Sequence, residues 1–240
     1  MAIVCGASFA GAKAMTTTSG PGMSLKTELI GMASLAELPC VIVNVQRGGP
    51  STGIPTKGEQ SDLYQALFSA HGDAPRPILA PYDALSAVRC TFEAFHLAET
   101  YQTPVIVLSD GFLGQGKQVC DPPDLTDRTR YPVSYRKTPT QEEIQAGYKR
   151  FLETADHISP MAIPGTKGGN YLASGIEHAE QARSFVPEGS KNMPSHAGSN
   201  FTYPSTVWSP PAERWALKQK SSPCRKFPKD GKPSTLAQLP

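Results

Sequence analysis

Two short runs of β-branched and aliphatic residues, Val41-Ile42-Val43-Asn44-Val45 and Val105-Ile106-Val107-Leu108, constrain the fold of this chain more than any other feature of its sequence. A strand with one wet face alternates apolar and polar residues, whereas a nearly continuous apolar run belongs to a strand covered on both faces, as in parallel sheets. Around these runs extended and helical patterns alternate. Met15 to Ser19, Cys40 to Gln46, Arg76 to Ala80 and Pro104 to Ser109 read as extended, and Ile3 to Ala14, Met23 to Leu38, Ser61 to His71 and Leu85 to Tyr101 as helical. Strand and helix in turn predict an α/β fold with a doubly wound, mostly parallel sheet. The first helical run has no Ser, Thr, Asp or Asn ahead of it to cap its free amides, so the sequence is expected to start inside an element whose beginning is missing.

Beyond the last strand the pattern changes. Val119 to Pro139 is rich in Asp, Arg and Pro and reads as a long excursion, followed by a surface helix over Gln141 to Thr154. After Arg183 recurrent prolines interrupt any period, and the expectation is a tail that buries too little apolar area to offset its chain entropy. The predicted partition is 1–118 for the α/β domain, 119–183 for an excursion and linker, and 184–240 for an irregular tail.

Bulk properties mainly exclude. A formal charge of +2 over 240 residues lacks the concentrated basic face that grips nucleic acid. A cluster of Lys218, Lys220, Arg225, Lys226, Lys229 and Lys232 near Trp215 and Phe227 reads as solvated rather than as a nucleic-acid contact. Cysteines 5, 40, 90, 120 and 224 form no C-x-x-C pair, which argues against a zinc or iron–sulfur site built by this chain; Cys40 and Cys90 read as small buried hydrophobes. With no run of 18 apolar residues and no charged leader, the expected setting is cytoplasmic, with no membrane partner. The triplet Asn200-Phe201-Thr202 is then a chance match to a glycosylation signal.

In a doubly wound sheet ligands bind beyond the carboxyl ends of the strands, so the loops that follow them carry the functional signal. In the first, Thr16 to Gly22, hydroxyls lead into Gly20-Pro21-Gly22 just before a helix; small side chains there admit a flat ring or an anion close to the backbone, or the segment is a capped turn. It is neither a Walker loop nor G-x-G-x-x-G. In the second, Gln46 to Asp62, Arg47 stands at the mouth of the most hydrophobic strand, where its planar fork suits either a substrate carboxylate or a neighbouring carboxyl-terminal carbonyl or carboxylate of the protein itself. In the third, Asp110 either faces the same crevice or caps the next turn.

Together the run Thr18-Ser19-Gly20-Pro21-Gly22-Met23-Ser24-Leu25, the segment Gln46 to Leu63, and Tyr101-Gln102-Thr103-Pro104-Val105-Ile106-Val107-Leu108-Ser109-Asp110 resemble, in order and spacing, the alpha subunits of 2-oxoacid:ferredoxin oxidoreductases, the 2-oxoglutarate type above all. The likeness runs from about Ile3 to Glu177, through Ile158-Ser159-Pro160-Met161-Ala162-Ile163-Pro164-Gly165 and Gly175-Ile176-Glu177-His178. It implies a thiamine-diphosphate-binding fold serving the pyrimidine side of the cofactor, with a beta subunit supplying the diphosphate site, magnesium and the iron–sulfur cluster. The implied reaction is oxidative decarboxylation of a 2-oxoacid to an acyl-coenzyme A, with electrons passing to ferredoxin. The resemblance assigns Arg47 to the substrate carboxylate, Thr18, Ser19, Gly20, Pro21 and Gly22 to the cofactor, and Gly48, Gly49, Thr52, Lys57, Gln60, Asp62 and Asp110 to the cleft lining.

The family also carries, ahead of the point where this sequence starts, a Tyr-Pro-Ile-Thr-Pro motif and a glutamate that protonates the pyrimidine ring. No acidic residue precedes Thr16 to stand in for it, so the chain is expected to be a fragment cut short at both ends and inactive alone. A noncatalytic binding or assembly module that retains the fold is the alternative.

Overall fold

The computed structural model describes residues 1–72, 74–152 and 154–173. The predicted irregular tail, Gly175 to His178, the glycosylation triplet, Cys224 and the basic cluster lie outside the described residues.

Four parallel strands, β1 (Met15–Thr18), β2 (Cys40–Gln46), β3 (Ile78–Leu79) and β4 (Pro104–Asp110), form one sheet in the order β1-β2-β4-β3. Val41 pairs with Val105 and Ile106 with Ile78, so the two apolar runs lie side by side at its centre. Side chains alternate across a strand, and each face of these runs meets its own helical layer. Cys40, Ile42, Ile106 and Leu108 pack on α1 (Ala2–Phe9), α2 (Gly20–Ser24) and α3 (Thr27–Leu35) through Val4, Cys5, Met23, Ile30 and Ala33. Val41, Val105 and Val107 pack on α5 (Ala84–Tyr101) through Cys90, Ala94, Leu97 and Ala98. The parallel sheet with flanking helices is the one the continuous apolar runs require.

Several elements are shorter than their patterns predict, each for a local reason. The helical pattern from Met23 to Leu38 is two helices, because the chain turns at Leu25 and Lys26; Lys26 Nζ reaches back to Thr18 Oγ1 at 3.2 Å and Gly22 O at 3.4 Å. The pattern from Ser61 to His71 yields only α4 (Leu63–Phe68). The strand expected over Arg76 to Ala80 shrinks to two residues, since Arg76 turns away to donate its Nε to Ala66 O at 2.9 Å at the carboxyl end of α4. The surface helix expected over Gln141 to Thr154 stops at Gln145 (α7, Gln141–Gln145), and Gly147 with φ +96° turns the chain back toward the core. By contrast α5 matches its pattern: Asp83 accepts from the Ser86 amide at 2.6 Å, the Asp83 amide donates to Ser86 Oγ at 2.8 Å, and left-handed Gln102 ends the helix. A five-residue helix that the sequence did not announce, α6 (Gly111–Gln115), follows β4 directly.

The charged excursion folds back onto the α/β unit. Met161 and Ala162 are buried, Met161 against the α1 and α3 layer. Buried ion pairs hold the returning segment. Arg136 donates to Glu99 through Nε at 3.1 Å and Nη2 at 2.8 Å, and its backbone amide donates to the same carboxylate at 2.8 Å. Arg150 donates Nη1 to Glu37 Oε2 at 3.1 Å and Nη2 to the Ala36 and Glu37 carbonyls. Gln102 Nε2 donates to Ser159 O at 2.8 Å. Ala12, Glu37 and Gln102 precede β1, β2 and β4, so this clamp grips the amino edge of the sheet. The opposite edge is left to the three loops.

Candidate functional site

Because every strand is parallel, Thr18, Gln46 and Asp110 end at one edge, with Thr18 in register with Asn44 and Gln46 with Asp110. The three loops singled out by the sequence therefore meet there.

The first loop turns straight into α2. Ser19 occupies the N-cap position with extended φ −130° and ψ 177°, yet its hydroxyl makes no cap bond. A turn built only to start a helix uses that hydroxyl; here it is uncommitted to the helix. The glycines allow close approach. A Cβ on Gly22 would stand 2.1 Å from Thr18 Oγ1, and one on Gly20 would stand 3.1 Å from Asp62 Oδ2. Thr18 to Gly22 are half-buried, forming a small-residue wall beside the end of β2.

The second loop is a compact hairpin and a return limb. Gly48 and Ile54 form an antiparallel bridge, Ile54 N donates to Gly48 O at 3.0 Å, and Gly48 N donates to Lys57 O at 2.9 Å. Gly53 has φ +50°, and a Cβ there would fall 2.3 Å from Gly48 O, so only glycine fits the tip. Gly49, Thr52, Lys57 and Gln60 are exposed, whereas Gly48 is buried. The limb is pinned where it ends: Asn44 Nδ2 donates to Asp62 Oδ2 at 3.0 Å, and the Asp62 amide donates to Gln46 Oε1 at 3.0 Å. Asp62 thus stands at the head of α4 without capping it by its side chain.

In the third loop Asp110 takes the capping role and also joins the second loop. Asp110 Oδ1 accepts from the Leu113 amide at 2.9 Å and so caps α6, while Oδ2 accepts from Gln60 Nε2 at 2.6 Å in the second loop. The Leu113 amide, with help from Gln60, holds the Asp110 carboxyl below the usual carboxylate range against the opposing effect of burial. It is an anion throughout the neutral range.

Arg47 is distinguished by its lack of partners. Its Nε is buried without a hydrogen bond, and among the described residues the side chain makes no hydrogen bond or ion pair. The buried arginines at the other edge, Arg136 and Arg150, each meet a glutamate of this chain. Asn44 is fully buried, and its Oδ1 is also without a partner. These unspent polar groups beside a glycine-lined wall suit a polar heteroaromatic ring and an anion, and a thiamine pyrimidine is such a ring. Among the described residues there is no group of three or more His, Cys, Asp or Glu able to hold a metal ion.

Sequence reasoning missed Asn44, which sits inside a strand pattern, and gave Gln46, the first residue of the second loop, no role. It also missed Phe112, against whose ring Gly58 packs so closely that a Cβ would stand 2.5 Å from it. Lys26, which braces the first loop, was hidden within a helical run.

A parallel, doubly wound sheet with glycine-bearing loops meeting at its carboxyl edge is the architecture of a cofactor-binding α/β domain. The chain belongs to the family described as pyruvate flavodoxin/ferredoxin oxidoreductase, thiamine-diphosphate-binding, whose profile matches residues 1–193. It is 42% identical over 174 residues to the 2-oxoglutarate oxidoreductase subunit KorA of Mycobacterium tuberculosis, covering 72% of this chain and 26% of that relative. It is 49% identical over 128 residues to the 2-oxoglutarate synthase subunit KorA of Archaeoglobus fulgidus, covering 53% and 37%. Among solved structures it is similar to the 2-oxoglutarate:ferredoxin oxidoreductase from Magnetococcus marinus with 2-oxoglutarate, coenzyme A and succinyl-CoA bound, at 48% identity and a TM-score of 0.72 over 78% of this chain and 32% of that one. The chain thus spans between about a quarter and two fifths of the length of these relatives.

Proposed function

We propose that this chain forms the pyrimidine-side wall of a thiamine diphosphate site in a 2-oxoacid:ferredoxin oxidoreductase of the 2-oxoglutarate type, working with a beta subunit that holds the diphosphate, magnesium and an iron–sulfur cluster. The observation that carries this reading is Arg47: a half-buried side chain at the exit of β2 whose Nε is buried and unbonded, whereas the buried arginines among the described residues, Arg76, Arg136 and Arg150, each donate to partners within the chain. Leaving such a donor unpaired costs on the order of 1–3 kcal/mol, a cost that a carboxylate ligand would remove.

When bound, thiamine diphosphate supplies the electron sink for loss of carbon dioxide from the 2-oxoacid. This chain's part is to bind and orient. Thr18, Ser19, Gly20, Pro21 and Gly22 offer hydroxyls and a backbone open to close approach, which suits the face of the ring. Arg47 takes the substrate carboxylate through its planar fork. Gly48, Gly49, Thr52, Lys57, Gln60, Asp62 and Asp110 line the cleft, with Lys57 adding a second cation at the anionic substrate. Residues 1–118 form this wall, with residues 136–162 clamped onto its amino edge. Coenzyme A and ferredoxin are the acyl and electron acceptors of the assembled enzyme.

The test is 2-oxoglutarate-dependent ferredoxin reduction by residues 1–173 grafted into a full-length alpha subunit and paired with its beta subunit. Arg47→Lys keeps the charge but loses the fork, and kcat/KM should fall about tenfold to a hundredfold, with the melting temperature held. An unchanged kcat/KM would remove Arg47 from the substrate. A variant that does not fold would make it structural.

A further inference from the structure

The limb from Lys57 to Asp62 is not free in solvent. It lies on the turn between β4 and α6, where Gly58 packs under the Phe112 ring. Gln60 donates to Asp110 Oδ2 at 2.6 Å, and the limb's far end is pinned by Asp62 to Asn44 and Gln46. Gln60 is exposed, and its side chain contributes nothing to the core. Asp110, by contrast, is 9% exposed and already fixed by the Leu113 amide. A preset carboxylate therefore holds a surface glutamine that sits three residues after Lys57.

We propose that Gln60 and Asp110 are positioning residues: their hydrogen bond seats the 57–62 limb on the β4–α6 turn and thereby sets where Lys57 stands toward an anionic 2-oxoacid. This rests on the functional reading above only for the identity of the substrate. The seating itself is a property of this chain. Since one partner is an amide and the other a carboxylate, the bond has a built-in polarity test. Gln60→Glu sets carboxylate against carboxylate and unseats the limb. The exchange Gln60→Glu with Asp110→Asn puts an amide donor back opposite a carboxylate and reseats it, and Asn at position 110 still accepts from the Leu113 amide.

Trypsin reads the seating without any turnover, because Lys57–Gly58 is a cleavable bond inside the limb. In the full chain near pH 8, Gln60→Glu should raise the rate of cleavage after Lys57 roughly tenfold or more, the scale expected for losing a hydrogen bond to a charged group. Gln60→Ala should give a smaller rise, and the exchange variant should return to within about twofold of the original chain, with melting temperatures unchanged throughout. Cleavage after Lys57 that is indifferent to Gln60→Glu, or that the exchange does not restore, overturns the seating. In the assembled enzyme the same series should raise and then restore KM for the 2-oxoacid, with kcat much less affected; equal KM values across the series overturn the positioning role. If the assembled parent shows no 2-oxoacid turnover, it is the functional reading that fails, and the trypsin series still decides the latch.

Discussion

Glu99→Gln is the most informative single change outside the cleft. The Glu99 and Arg136 side chains are only 2% and 3% exposed, and the carboxylate takes three bonds from Arg136, one of them from its backbone amide. Glutamine keeps the shape and one acceptor but removes the charge, leaving a guanidinium out of water among neutral acceptors: the Ser8 and Ala12 carbonyls, the Ser8 hydroxyl, the Met161 sulfur and the glutamine oxygen. Removing one partner of a buried pair typically costs about 3–5 kcal/mol, because the remaining charge stays desolvated. The lower end applies here, since those two carbonyls persist and Lys13, 3.7 Å from Glu99 and 28% exposed, can swing to water. A loss of about 3 kcal/mol is a large part of the roughly 5–15 kcal/mol that holds a domain together, and corresponds to a melting shift of about 6–12 °C at this size.

Urea unfolding of Glu99→Gln, Arg136→Met and the double variant separates the charge penalty from lost packing. Arg136→Met removes the stranded cation, so the double variant should be less damaged than the sum of the two, with a coupling of about 2 kcal/mol or more. A destabilisation under about 1 kcal/mol for Glu99→Gln, or a coupling under about 0.5 kcal/mol, would refute the view that this pair fastens the returning segment to the sheet.

Three further outcomes follow from local chemistry. Asp156 is held near a pKa of about 2, below its ordinary 3.8, because bonds from Thr154, Lys137 and the Ile158 amide outweigh an opposing burial effect. Its folded pKa is depressed, so its contribution is full above about pH 4 and disappears as pH falls toward 2; acid titration of the melting temperature should be flatter in that window for Asp156→Asn. Burial pushes the Cys40 thiol up to about 12, so iodoacetamide at pH 8 should label exposed Cys120 in the native chain and reach Cys40 only after denaturation, as peptide mapping would show. Gly53→Ala drives a Cβ to 2.3 Å from Gly48 O at φ +50°, so it should open the Gly48–Ile54 bridge and speed hydrogen exchange at the Ile54 amide, with little change in melting temperature because the tip is exposed.

What the sequence revealed and what it hid divide along the range of the interactions. The central strands were legible because burial on both faces writes itself into consecutive residues, Val41 to Val45 and Val105 to Leu108. Helix α5 was legible because amphipathic spacing is local. The break at Leu25 and Lys26 was not, since the apolar period continues across it and the turn is braced from Thr18. Nor was the clamp: Arg136 lies 37 residues from Glu99 and Arg150 lies 113 from Glu37, so one read as a charge in the irregular excursion and the other as a charge on a surface helix. In the site, the strand-end loops could be located from topology alone, whereas the proposals that Arg47 meets a carboxylate and that Lys57 lines the cleft lean on family resemblance. The roles of Asn44 and Gln46 stayed hidden because a polar residue on a strand shows its purpose only when the neighbouring loop is in place.

The two edges of the sheet use arginine in opposite ways, and the contrast ties fold to function. At the amino edge Arg136 and Arg150 are fixed by Glu99 and Glu37, so their charges are consumed in holding residues 136–162 against the sheet. Orphan atoms occur there too, at Gln102 Oε1, Thr103 Oγ1 and Arg150 Nε, but Gln102 and Arg150 each satisfy another atom within the chain. At the carboxyl edge Arg47 is left with none. An edge rigidified by internal pairs keeps the strand register that sets Gln46 level with Asp110 and Thr18 level with Asn44, and only with that register fixed does an unpaired guanidinium hold the defined position that its proposed carboxylate role requires. On the proposed reading, loosening the amino-edge clamp with Glu99→Gln should therefore raise KM for the 2-oxoacid in the assembled enzyme at temperatures below its melting transition, and an unchanged KM would reject this coupling through register.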